Sequence, residues 1–132
     1  VYGLTDEFLY THPEILTTGF AIFSQRVRAA GMFVVQAHPI RIHMIVTNPK
    51  RLDAMEVYNG NKRHCSRNDI ADIWADRFQM RKTSGSDTHR PDDDACAGIR
   101  TETPITNNEE LLAALRSGNY TLIKEAIDLK ED

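Results

Sequence analysis

Residues 19–39, GFAIFSQRVRAAGMFVVQAHP, change periodicity in the middle of one continuous stretch. In the first half Phe20, Phe23, Val27 and Ala30 recur at helical spacing and Gly31 supplies a left-handed stop, which predicts a helix over 19–31. In the second half MFVVQAHP is an unbroken apolar run with β-branched residues that ends at Pro39, the pattern of a short strand buried on both faces. A helix that runs straight into a buried strand is the repeating unit of an α/β fold.

The unit recurs downstream. Ala54–Gly60, AMEVYNG, reads as a second strand closing in a turn, with 40–52 between them as a loop. From Asn68 to Met80, Ile70, Ile73, Trp74 and Phe78 fall at helical spacing, and Ser66 with Asp69 resembles a capping box. KTSGSD (82–87) predicts a short strand, RPDDDA (90–95) an acidic loop, and AGIRTET (97–103) an exposed or edge strand. Residues 105–120 carry Asn107 or Asn108 as N-cap, two glutamates in the first turn, Leu111, Leu112 and Leu115 on one face, and Gly118 as the stop. A final strand, YTLI (120–123), precedes the charged tail 124–132, expected to fray or to pack as a short surface helix. The expected architecture is α/β, alternating helices and short, mostly parallel strands in an open sheet or a barrel, with one domain over 1–123.

The 132 residues, 41% hydrophobic and 27% charged, are ordinary for one soluble globular domain. A formal net charge of −3 lacks the positive field that non-specific nucleic-acid binding uses, so a scaffold role on DNA or RNA is disfavoured while a small phosphorylated substrate is not. Cys65 and Cys96 form neither a Cys-x-x-Cys pair nor a disulfide framework, which suits a reducing cytoplasm. No apolar run approaches the ~20 residues that span a bilayer, and VYGLTDEF is no signal peptide. The opening Val1 and the strand-like VYGL suggest a piece of a longer chain.

In parallel α/β folds the working residues lie beyond the carboxyl ends of the strands. Three predicted strands end in polar residues: His38, Asn59, and Asp87 with His89. If the backbone stays extended through Thr88, Asp87 and His89 point to the same side and can reach a common ligand. Imidazole and carboxylate without thiolate suit Zn, Mn or Fe. Taken singly, an aspartate after Gly-Ser also braces turns, and a histidine before proline also bonds a backbone carbonyl. Their joint placement at strand ends favours a site. Arg41 has the fork to clamp a phosphate, against the plainer reading of an exposed arginine. His64 is either a substrate contact or a surface imidazole. His12 is expected to cap or to lie on the surface, His43 to sit in a loop, and Glu56 to form a buried ion pair or hydrogen bond behind the site. The DDD run at 92–94 lacks EF-hand spacing. Phosphate-binding glycine loops and a Gly-x-Ser-x-Gly elbow are absent.

AHP, MEVYNG, SGSDTH and ELLAALRSGNYTLI, in this order and spacing, resemble the second half of a PHP domain, the polymerase and histidinol phosphatase family of metal-dependent phosphoesterases. The resemblance runs from about Gly3 to Ile123. It implies the carboxyl-terminal part of a distorted barrel of seven βα units, with two or three divalent metal ions (Zn, Mn or Fe) at the carboxyl-end face. By motif His38, Asp87 and His89 match the family's metal ligands, and Arg41, Asn59 and His64 match positions of substrate contacts, for a small phosphorylated substrate. The family's opening His-x-His has no counterpart here. The chain is therefore expected to supply part of a metal site and to be inactive alone, its remaining ligands lying upstream of Val1. The competing expectations are a non-catalytic PHP-derived binding or structural module, and a metal-dependent hydrolase of C–N bonds. The uncovered strand edges of a partial barrel predict self-association.

Overall fold

The computed structural model describes residues 1–93 and 96–124, so the expected behaviour of the tail beyond Lys124, and Asp94 of the acidic run, lie outside the described residues. The helices are α1 (Asp6–Thr11), α2 (Phe20–Ala29), α3 (Asn68–Arg77) and α4 (Asn108–Ser117), with 3-10 turns at Pro13–Leu16 and Pro49–Arg51. The strands are β1 (Val35–Gln36), β2 (Ala54–Asn59), β3 (Arg81–Gly85), β4 (Ala97–Arg100) and β5 (Thr121–Lys124).

β1, β2 and β3 form a parallel sheet in that order, and β4 pairs with β5 antiparallel. The described residues are thus mixed α/β with an open sheet; they do not close a barrel. β5 nonetheless follows the direction of β3, because Tyr120 Oη donates to Lys82 O (2.9 Å) and, further along both strands, Ser84 Oγ donates to Ile123 O (2.8 Å). Side-chain bonds stand where a parallel ladder would run. The reversed strand is β4, whose first residue is fastened beyond the end of β3 by Ser86 Oγ, which donates to Ala97 O (2.7 Å) and accepts from Ala97 N (3.1 Å).

Alternation along β2 divides the core. Met55 and Val57 face a cluster with Ile15, Val27, Met32, Val34, Leu52 and Ala75, which seats α2 and α3 on one side. Ala54 faces the other way, to Phe33 and Leu115, with Leu111, Leu112 and Tyr120 around them, which seats α4 on the opposite side. A sheet covered on both faces is what near-continuous apolar strands require.

Three local expectations are corrected. β1 is two residues long rather than spanning 32–39, because its neighbours bond elsewhere: Phe33 exchanges backbone bonds with Tyr2, and Val34 N donates to the Asp53 carboxylate (2.8 Å). α3 has no capping box; Arg67 stands at its N-cap with φ 52°, and Ser66 faces the sheet end instead. The buried face of α3 is Ala71 and Ala75, while Ile73 and Phe78 of the expected stripe are exposed. α4 forms as expected, with Asn107 Oδ1 accepting from Glu110 N (2.9 Å) and Gly118 in the left-handed region at φ 75°. Among the described residues no helix is long and apolar enough to cross a membrane.

Candidate functional site at the carboxyl end of the parallel sheet

The three parallel strands deliver His38, Asn59 and Asp87 to one end of the sheet, each from the end of a different strand. What joins them begins with an irregularity in β2. Glu56 pairs with Thr83 but Tyr58 pairs with Ser84, so β2 carries one extra residue and the alternation slips by one. Glu56 and Asn59, three apart and normally on opposite faces, then meet: Asn59 Nδ2 donates to Glu56 Oε2 (2.9 Å). The same oxygen accepts from His38 N (2.7 Å), tying β1's end to β2. Gly85 lets the carboxylate in, since a Cβ there would stand 2.5 Å from Glu56 Oε1.

The second half of the cluster is built on Arg41. Its Nη2 donates to Asp87 Oδ2 (2.7 Å), Asn59 Oδ1 (2.9 Å) and Ser66 Oγ (3.0 Å). The backbone of Asp87 is held separately, its carbonyl accepting from Asn61 Nδ2 (2.8 Å). Beyond it, Arg63 grips Asp93 through two bonds (2.9 and 2.7 Å), and Asp93 accepts the backbone N–H of His89 and of Arg90, which fixes the loop after β3. Two of the strand-end residues sit at positive φ, His38 at 32° and Asp87 at 53°. Such conformations in side-chain-bearing residues persist only where surrounding contacts hold them, and they collect at functional sites.

Burial tends to raise the pKa of Asp87, but the Arg41 hydrogen bond and charge, helped by His38 and Asn59, outweigh it and hold the carboxyl below its ordinary value. Glu56 goes the other way: burial raises it, the Asn59 and His38 hydrogen bonds oppose, and the charge of Asp87 adds to the rise.

The expected site residues thus separate. His38, Arg41, Asn59 and Asp87 come together, with Asn59 only 2% exposed at the centre of the cluster. His89 lies at its edge, exposed, with Nδ1 2.8 Å from the carbonyl of Asp87 and 3.6 Å from its carboxylate. The strand ends at Gly85 and the backbone turns at Asp87, so the extended geometry expected through Thr88 is not adopted. His64 is exposed in the loop between β2 and α3, its backbone N–H bonded to Asn61 O (3.3 Å). His12 closes α1 and stacks on Phe8. Glu56 takes its expected place behind the strand ends. The sequence singles out neither Asn61 nor Asn68, and Ser66 only as a capping residue. For Asn61 a signal was there, two residues after Asn59 and so on the same side of an extended chain; Asn68, which brackets Asn59 N (3.0 Å) and O (3.1 Å), hid inside a predicted helix.

The fit to a metal ion is partial. The donor chemistry is right, and His38 Nδ1 is buried with no partner. Yet among the described residues no three His, Cys, Asp or Glu side chains are grouped to hold an ion, and the Asp87 carboxylate is engaged by Arg41. As arranged, these side chains do not form a metal site by themselves.

No curated protein matches the chain, and no solved structure does. Residues 66–120, which include α3, β3, Asp87, His89, β4 and α4, match the family model described as PHP-associated, so this carboxyl-terminal part of the chain is similar to that domain.

Proposed function

We propose that the chain is the carboxyl-terminal part of a PHP-type phosphoesterase barrel, acting on a small phosphorylated substrate, and that His38, Asp87 and His89 are its contribution to a centre of divalent Zn, Mn or Fe. The remaining ligands come from residues the chain does not contain, and the chain alone is inactive. The observation that carries this reading is the convergence of His38, Glu56, Asn59 and Asp87 at one end of three parallel strands, with Asp87 and His89 inside the PHP-associated match. Divalent ions in such centres polarise phosphoryl oxygens and activate water. The parts played by this chain are to orient His38 through its backbone bond to Glu56 and to place Arg41, Asn59 and the exposed His64 about the mouth.

One observation favours a second reading. The Arg41–Asp87 ion pair neutralises the Asp87 carboxylate from within the chain, as a non-catalytic PHP-derived module would require. Mn²⁺ binding, measured beside hydrolysis of p-nitrophenyl phosphate, separates the possibilities. The proposal expects no turnover by the 132-residue chain, together with Mn²⁺ binding that Asp87→Asn removes. Turnover abolished by Asp87→Asn would contradict inactivity alone; Mn²⁺ binding indifferent to Asp87→Asn would contradict the ligand assignment and favour the module.

A further inference from the structure

Three oxygens, from Asp87, Asn59 and Ser66, converge on a single nitrogen, Arg41 Nη2, at 2.7, 2.9 and 3.0 Å. An Nη2 carries two hydrogens, so three acceptors exceed what it can serve with separate bonds. The arrangement is an oxygen-lined cation position with a guanidinium nitrogen in it. Both members of the ion pair are largely shielded, with side-chain exposures of 15% for Arg41 and 13% for Asp87, so solvent weakens their attraction little.

We propose that Arg41 and a divalent cation compete for the Asp87 carboxylate, the guanidinium acting as the built-in counter-ion that metal must displace. This rests on the reading that Asp87 is a metal ligand. It accounts for the partial fit described above: the ligand is present and aimed at the sheet end, but it is held by a cation of the chain's own. Asp87 does not depend on Arg41 for its place, because Asn61 holds its carbonyl (2.8 Å) and the Asp93 carboxylate holds the loop that follows. Removing the guanidinium therefore leaves the carboxylate where it is, without its competitor. By linkage, a metal that displaces Arg41 also frees its fork to take an anion at the same mouth.

The test is the free-Mn²⁺ electron paramagnetic resonance signal during titration of the chain, with wild type, Arg41→Gln, Arg41→Lys and Asp87→Asn compared. Arg41→Gln is expected to tighten Mn²⁺ binding about tenfold, the scale of a shielded, charge-assisted pair that no longer has to be broken. Arg41→Lys, whose shorter side chain does not carry its charge to the same point among the three oxygens, shifts binding the same way by a smaller factor, and serves if thermal melting shows Arg41→Gln to be unfolded. Unchanged or weaker binding in the Arg41 variants, with Asp87→Asn still abolishing it, would overturn the competition and leave the ligand assignment standing. Equal binding by wild type and Asp87→Asn, or none by any variant, would overturn the ligand assignment and the competition with it.

Discussion

The carboxylate of Glu56 occupies the space that a side chain on Gly85 would need: a Cβ at residue 85 would stand 2.5 Å from Glu56 Oε1. Gly85→Ala must therefore push Glu56 away from His38 N and Asn59 Nδ2, at a cost of about 1–3 kcal/mol from the forced shift and the loosened bonds. Urea unfolding reads the loss, and the amide resonance of His38 should move with it. An alanine variant of wild-type stability with an unmoved His38 amide would contradict the arrangement.

Asn59 is the hub of the cluster, accepting from Arg41, Ser66 and the backbone of Asn61 and donating to Glu56. Asn59→Ala strands these partners in a buried place and is expected to destabilise the fold by about 2–4 kcal/mol, more than a surface asparagine would. Denaturant midpoints of Asn59→Ala and of the exposed Asn119→Ala make the comparison.

Leu115 joins the PHP-associated segment to the opening strands, buried against Phe33 and Ala54. Leu115→Ala should cost about 2–4 kcal/mol, within the range of leucine truncations in packed cores. A single cooperative unfolding transition shifted as a whole is expected; an early, separate loss of the β4–α4–β5 signal would mean that this part stands apart.

Much of this frame was legible in the sequence because the signals were local. Asn107, Glu109, Glu110 and Gly118 fix α4 by capping and dipole chemistry, and AMEVYNG reads as a strand closing in a turn. The extra residue in β2 was not legible, since a slip in pairing is a property of two strands and shows only when Glu56 meets Thr83 and Tyr58 meets Ser84. The direction of β4 was hidden for the same reason, being set by Ser86 holding Ala97 across a loop. Strand-end reasoning picked out His38, Asn59 and Asp87, but it could not show that Arg41 points inward to the carboxylate rather than outward to a ligand.

Asp93 gives the loop after β3 an acid sensitivity of its own. The paired hydrogen bond from Arg63, then the backbone N–H of His89 and of Arg90, lower its carboxyl from an ordinary 3.8 to about 2. Because the folded value lies below the unfolded one, the folded chain binds fewer protons here. The stabilisation is complete above the unfolded value and is lost as pH falls through about 2. Asp93→Asn removes this component, so between pH 5 and pH 2 wild type should lose more stability than the variant. Parallel losses in the two proteins would contradict the assignment.

The central claim is that His38, Asp87 and His89 are this chain's share of a divalent metal centre, and Mn²⁺ titration followed by paramagnetic line broadening tests it most directly. At substoichiometric Mn²⁺ the account predicts that resonances of His38, Asp87 and His89 broaden first, followed by Glu56 and Asn59, while those of α1 and α4 stay sharp. Broadening centred instead on the exposed acidic loop around Asp92, or spread evenly over surface carboxylates, would contradict it.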